Sequence, residues 1–124
     1  MRARIMIVED EAIPALFLRR LLEGEGFVVC AVLAEGELVL ASFAETRPDL
    51  ILMDIRLSGR MDGIQVAEEL RRESSVPIVF VSGYEGGPLH ERALATFPVA
   101  FLGKPVRREA LLEAIGAALG RLGA

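Results

Sequence analysis

Five short, almost unbroken apolar runs recur along the chain at Ile5–Val8, Val28–Leu33, Leu50–Met53, Ile78–Val81 and Val99–Leu102. Four of them are nearly continuous Ile, Val, Leu, Met and Phe, the pattern of strands buried on both faces in a helix-covered parallel sheet. Longer amphipathic stretches lie between and after them. The first is Pro14–Glu23, with Leu18, Leu21 and Leu22 on one side and Gly24 as a stop. Pro14 suits a first helical turn, where its missing N–H is not needed. Further helices are predicted over Glu37–Thr46, Ile64–Arg72, Pro88–Thr96 and Val106–Leu119. In the last, Leu111, Leu112, Ile115 and Leu119 form one apolar stripe. Strands alternating with helices predict a doubly wound α/β domain with right-handed crossovers. The pattern alone leaves strand order open. We expect one domain over residues 1–120, with 121–124 a tail or the start of a cut linker.

Composition narrows the class. At 52% hydrophobic residues the chain is too apolar for a disordered segment. No apolar run approaches the ~20 residues of a membrane span. The opening Met1-Arg2-Ala3-Arg4 is followed by a short apolar run and then at once by acids, unlike a secretion signal, so a cytoplasmic protein is expected. Cys30 is the single cysteine and reads as a small hydrophobe in an apolar run. The net charge of -4 gives no basic nucleic-acid footprint. The pairs Arg19-Arg20, Arg71-Arg72 and Arg107-Arg108 are expected on exposed helix faces.

Ligands of open α/β sheets bind beyond the carboxyl ends of the strands. There the chain offers Glu9, Asp10 and Glu11 after the first strand and Asp54 after the third. Ser82 and Gly83 follow the fourth, and Gly103, Lys104 and Pro105 the fifth. Clustered carboxylates repel unless a divalent cation lies among them. Oxygen-only ligands suit Mg²⁺. One carboxylate can attack phosphorus to form an acyl phosphate, while a cation and a lysine offset the phosphoryl charge and a hydroxyl donates to it. Glu9, Asp10, Asp54, Ser82 and Lys104 supply that set.

The stretches Ile7-Val8-Glu9-Asp10, Leu50-Ile51-Leu52-Met53-Asp54-Ile55, Met61-Asp62-Gly63, Val81-Ser82-Gly83 and Lys104-Pro105 resemble the receiver domain of two-component response regulators. The resemblance covers essentially the whole chain in order, and the five pieces together are specific where each alone is weak. It implies a flavodoxin-like (βα)5 sandwich with strand order 2-1-3-4-5. It implies Asp54 as phosphoacceptor, Asp10 as a direct ligand of Mg²⁺ or Mn²⁺, Glu9 acting on the metal mainly through water, and the Arg56 carbonyl as the third protein ligand. Ser82 matches the switch hydroxyl, Lys104 the pocket lysine and Phe101 the aromatic switch position. The bond before Pro105 is usually cis in that family. Arg56 and Tyr84, each two residues past a pocket residue, are expected to tune the lifetime of the phosphoryl group. The implied donor is a histidine kinase or histidine phosphotransfer protein. Output is expected through a protein target on the fourth-helix, fifth-strand and fifth-helix face, around Glu91, Ala95, Phe101 and Arg107. Neither nucleic acid nor membrane is an expected direct partner, and homodimerisation is left open. The only chemistry implied is the domain's own phosphorylation and dephosphorylation.

Plainer readings apply to several residues. Glu11 is expected to cap or start the first helix, Asp62-Gly63 to mark a helix start, Gly83 to keep the pocket accessible, and His90 to be solvated. The chain departs from the family pattern in three places. The Ile55–Gly63 loop is one residue longer than usual, Ser58 stands where proline is typical, and Phe101 lacks the frequent tyrosine hydroxyl. Gly86-Gly87-Pro88 is an unusual start for the fourth helix. The alternative reading is a receiver cut from a hybrid kinase or from a regulator with an output domain. A phosphohydrolase with an aspartyl nucleophile typically has a second acid two residues on, where this chain has Arg56. A flavin module would need a hydroxyl-rich phosphate loop where this chain has Glu9-Asp10-Glu11.

Overall fold

The computed structural model describes residues 2–83 and 87–123, the last three by backbone alone. Five strands, β1 (Arg4–Val8), β2 (Val28–Leu33), β3 (Leu50–Asp54), β4 (Ile78–Ser82) and β5 (Ala100–Gly103), form one parallel sheet in the order β2-β1-β3-β4-β5. The helices are α1 (Ala12–Gly24), α2 (Val39–Thr46), α3 (Gly63–Leu70), α4 (Gly87–Leu94) and α5 (Arg108–Gly123). This is the flavodoxin-like arrangement that the resemblance implied.

Alternation of side chains along each strand builds two separate cores. Ile5, Ile7, Leu50, Leu52 and Val79 point to one face and meet Leu18 and Leu22 of α1 and Leu111 and Ile115 of α5. Met6, Val8, Ile51, Met53, Ile78 and Phe80 point to the other and meet Val39 of α2, Ile64, Val66 and Leu70 of α3, and Ala93 of α4. Every residue of β3 and β4 is buried, which is why these strands read as continuous apolar runs. Edge strand β2 slips register against β1 between Ile5 and Met6, skipping Cys30, which packs half-buried beside the second core.

Several helix boundaries differ from the expected ones for local reasons. α1 begins two residues before Pro14 and runs through Gly24. The segment expected to be helical from Glu37 opens instead with a 3-10 turn, Gly36–Leu38, and α2 starts at Val39. α3 stops at Leu70, and Arg71 turns its guanidinium inward to the carbonyls of Thr96, Ser74 and Val76. That corrects the exposed position expected for Arg71, whose partial burial lowers its pKa. α4 ends at Leu94, and Thr96 folds its hydroxyl back onto the Ala93 carbonyl at 2.6 Å. α5 continues past Leu119 to Gly123.

Candidate functional site

The register of the sheet assembles the site. β1 and β3 are neighbours with Val8 opposite Met53, so the next residues, Glu9 and Asp54, emerge side by side at the carboxyl edge. Both are nearly inaccessible, at 4% and 5%, while Asp10 is exposed. One carboxylate oxygen from each of Glu9, Asp10 and Asp54 lies within 4.8 Å of the others. Ser82 ends β4 opposite Gly103 of β5, and its carbonyl accepts the Lys104 amide at 3.0 Å. The Lys104-Pro105 bond is cis, as in the family the chain resembles.

Lys104 is the electrostatic centre. Its Nζ lies 2.7 Å from Glu9 Oε1 and 2.7 Å from Asp54 Oδ2. Burial, the largest single influence, works against the ammonium. The hydrogen bonds and charges of Asp54 and Glu9 outweigh it together and hold the Lys104 pKa above the ordinary lysine value. Three further carboxylate oxygens accept hydrogen bonds. Glu9 Oε2 accepts the Glu11 amide at 3.0 Å, Asp54 Oδ1 accepts the Arg56 amide at 3.2 Å, and Asp10 Oδ2 accepts the Ser58 hydroxyl at 3.3 Å. Glu11 therefore serves through its backbone, and its side chain makes no cap to α1. With three carboxylates and one ammonium the site carries surplus negative charge, and its donors are oxygens, which fits a hard divalent cation such as Mg²⁺. A cavity of about 350 Å³ opens over Asp10, Asp54, Arg56, Ser82 and Lys104.

The loop from β3 to α3 seats Asp54. Gly63 donates its amide to Ile55 O at 2.7 Å, and a Cβ at Gly63 would overlap the Asp54 carbonyl. Asp62 caps α3 reciprocally with Gln65: each side chain accepts the other's amide, at 2.8 and 2.9 Å. Asp62-Gly63 is thus a helix start, and its glycine also permits close packing behind the acidic site. Sequence reasoning missed that packing, the hydrogen bond from Ser58 to Asp10, and the part played by Glu37, whose carboxylate accepts loop amides. The only signal for Ser58 was the absence of a proline.

Phe101 on β5 is half-buried between Phe80, 6.2 Å away between ring centroids, and His90, 4.5 Å away. His90 was expected in solvent. Instead its ring covers Phe101, and Nδ1 is buried without a hydrogen-bond partner among the described residues. The stacking aromatic lies eleven residues away on another element, so no local pattern announces it. Tyr84 lies outside the described residues.

The sequence profile of the response regulator receiver domain matches residues 5–116. The chain belongs to that family. DNA-binding response regulator MtrA of Mycobacterium tuberculosis is 46% identical over 82 residues, covering 66% of this chain and 35% of that protein. Transcriptional regulatory protein PdtaR of the same species is 32% identical over 118 residues, covering 95% of this chain and 57% of that protein. This receiver domain thus spans about a third to just over half of those curated relatives. Among solved structures, the signal receiver domain of a modulated diguanylate cyclase from Desulfovibrio desulfuricans G20 superposes with a TM-score of 0.91 at 32% identity, covering 98% of this chain and 96% of that one. A CheY-like receiver domain protein from Methanospirillum hungatei JF-1 gives 0.88 at 28% identity, covering 98% and 96%. The receiver family ties the chain to two-component signalling. Among the described residues no helix is long and apolar enough to cross a membrane.

Proposed function

We propose that this receiver accepts a phosphoryl group on Asp54 from a phosphohistidine of a histidine kinase or histidine phosphotransfer protein in the cytoplasm. The observation that carries the reading is the placement of Asp54. Its carboxylate stands at a strand end, oriented by Lys104 and the Arg56 amide, against Glu9 and Asp10, under an open cavity. A carboxylate oxygen of Asp54 attacks phosphorus, the bond from phosphorus to the histidine nitrogen breaks, and the imidazole leaves with the electron pair. Asp10 and Asp54, with the Arg56 carbonyl, would hold Mg²⁺ or Mn²⁺, and Glu9 would act on it through water. When bound, the cation offsets charge on the phosphoryl oxygens. Lys104 stands ready to leave the carboxylates for the new oxyanion, and Ser82 to donate its hydroxyl. Ile13 and Phe17 are exposed large hydrophobics beside Lys104, Pro105 and Val106, an apolar rim that favours a protein donor over a free metabolite.

Arg56 and Tyr84 tune the lifetime of the phosphoryl group in this reading. A hydrolase with Asp54 as nucleophile lacks its second acid, since position 56 offers an amide to Asp54 and no carboxylate. Movement of Ser82 toward the phosphoryl group frees space beside β5, Phe101 turns inward, and the face of α4, β5 and α5 changes for its protein target. The reading is tested by treating the chain with acetyl phosphate and Mg²⁺ and measuring intact mass. One phosphoryl adduct is expected, absent in Asp54→Asn; an adduct that persists in Asp54→Asn sinks the assignment. Backbone amide shifts around Phe101 and His90 should accompany the adduct, and silence there means output through another face.

A further inference from the structure

The loop between β3 and α3 supplies the acid pocket with the Arg56 amide on Asp54 and the Ser58 hydroxyl on Asp10. It is tethered from a distant part of the chain. Glu37, in the 3-10 turn before α2, accepts the Arg60 amide at 3.0 Å and the Met61 amide at 3.2 Å, both through Oε1. Next to this clamp the backbone of Glu35 pairs with that of Ser58 in a parallel bridge. Gly59 has φ +92°, and any Cβ there would overlap the Glu37 carboxylate. A Cβ at Gly36 would sit 2.7 Å from the Met61 carbonyl oxygen. The Arg60 amide first, then Glu37's own amide and that of Met61, hold the Glu37 carboxyl below its ordinary range. It is therefore ionised at neutral pH, and an ionised acceptor makes the stronger hydrogen bond.

This loop is one residue longer than usual for its family and has no proline at Ser58, so it lacks the φ restriction that a proline would supply at that point. Yet groups on it must meet Asp10 and Asp54 in fixed positions. We propose that Glu37 is a positioning residue for the acid pocket: by clamping the Arg60 and Met61 amides it pre-sets the loop so that Arg56 and Ser58 stand at Asp54 and Asp10 before a cation binds. The inference rests on the reading of that pocket as a Mg²⁺-dependent phosphoacceptor. Partners one step removed from a metal site typically change metal affinity by about 10–100-fold when lost, because the ligands they orient no longer start in place. Glu37 holds the loop at Arg60 and Met61 and does not line the pocket, so its loss removes no charge from among the acids there.

Titration calorimetry of Mg²⁺ into the whole chain tests this directly. Glu37→Ala should weaken Mg²⁺ binding about ten-fold. Glu37→Gln, which keeps an acceptor oxygen, should lose clearly less, and the Arg60 and Met61 amide resonances should move in both variants. Unchanged Mg²⁺ affinity in Glu37→Ala, with those two amides released, overturns the proposal. If Glu37→Ala fails to fold, Glu37→Gln decides alone: weaker binding supports the clamp, and wild-type binding with displaced amides overturns it. Acetyl phosphate treatment of the wild-type chain separates the two ideas. No Asp54 adduct alongside Glu37-dependent Mg²⁺ binding sinks the phosphoacceptor reading and leaves the clamp. An adduct alongside Mg²⁺ binding indifferent to Glu37 sinks the clamp alone. A wild-type chain that binds no Mg²⁺ overturns both.

Discussion

Replacing Lys104 by methionine would keep the side chain's length and apolar stem while deleting the ammonium. Glu9 and Asp54, both nearly inaccessible, would then face each other and Asp10 with no cation between them. Removing one partner of a fully buried ion pair costs about 3–5 kcal/mol. Here the lysine side chain is 25% exposed and the pocket is open to water, so the low end applies, about 3 kcal/mol. At roughly 4 °C per kcal/mol for a domain of this size, the thermal midpoint should fall by about 12 °C. The deficit has a signature beyond its size. Mg²⁺ should raise the midpoint of the variant more than that of wild type, since it opposes the same repulsion. Circular dichroism melts with and without Mg²⁺ measure both. A fall of under about 3 °C that Mg²⁺ leaves unchanged would show that water already screens these carboxylates.

The opposite change at the same site has the opposite sign. Asp10→Ala removes an exposed like charge held, among the described residues, by the Ser58 hydroxyl, so the midpoint should rise by about 2–4 °C while Mg²⁺ binding is lost; calorimetry and a melt check both. Gly63→Ala must push α3 away from the Asp54 carbonyl and should cost about 2–4 kcal/mol in urea unfolding, with no such cost at Gly83, where a Cβ meets open space. For Glu37 the folded carboxyl titrates below its unfolded value. The clamp's contribution is therefore complete above the ordinary glutamate range and is lost as pH falls through the lowered value. The Arg60 and Met61 amide shifts should follow that titration at the acid side, and a midpoint at or above the ordinary glutamate value would contradict the clamp.

The sheet and the acids at its carboxyl edge were legible because their signals are local. Continuous apolar runs mark doubly buried strands, and a charge directly after such a run has to lie at a strand end, as Glu9 and Asp54 do. Strand order was not in the pattern and came only with the family resemblance. What stayed hidden depends on side chains that leave their own element. Glu37 reads as the first turn of a helix, but its carboxylate caps loop amides more than twenty residues away, and the turn tightens to 3-10. Arg71 sits in a charged pair that looks solvated, yet its guanidinium gathers three carbonyls. His90 sits among polar neighbours in sequence and is covered by an aromatic from β5. For Glu37 and His90, and for Arg71 in its bond to Thr96, the partner is fixed by the fold and lies beyond any short window; the Ser74 and Val76 carbonyls are near Arg71 in sequence, but a backbone acceptor leaves no mark in the pattern.

The two cores on either side of the sheet share no side chain, since each strand residue points one way or the other. Substitutions under α1 and α5 should therefore combine with substitutions under α3 by simple addition, within about 0.5 kcal/mol. A domain built this way has two independent ledgers for sequence drift. The surface around α1, beside the apolar rim, can diverge to suit a new donor without disturbing what the α3 and α4 side presents. Within the α3 and α4 side the coupling is tighter, because Phe80, Phe101 and His90 form one continuous chain of ring contacts reaching from the core to α4. Lineages that re-specialise such a receiver should change its two flanks separately, while residues along these ring contacts change together.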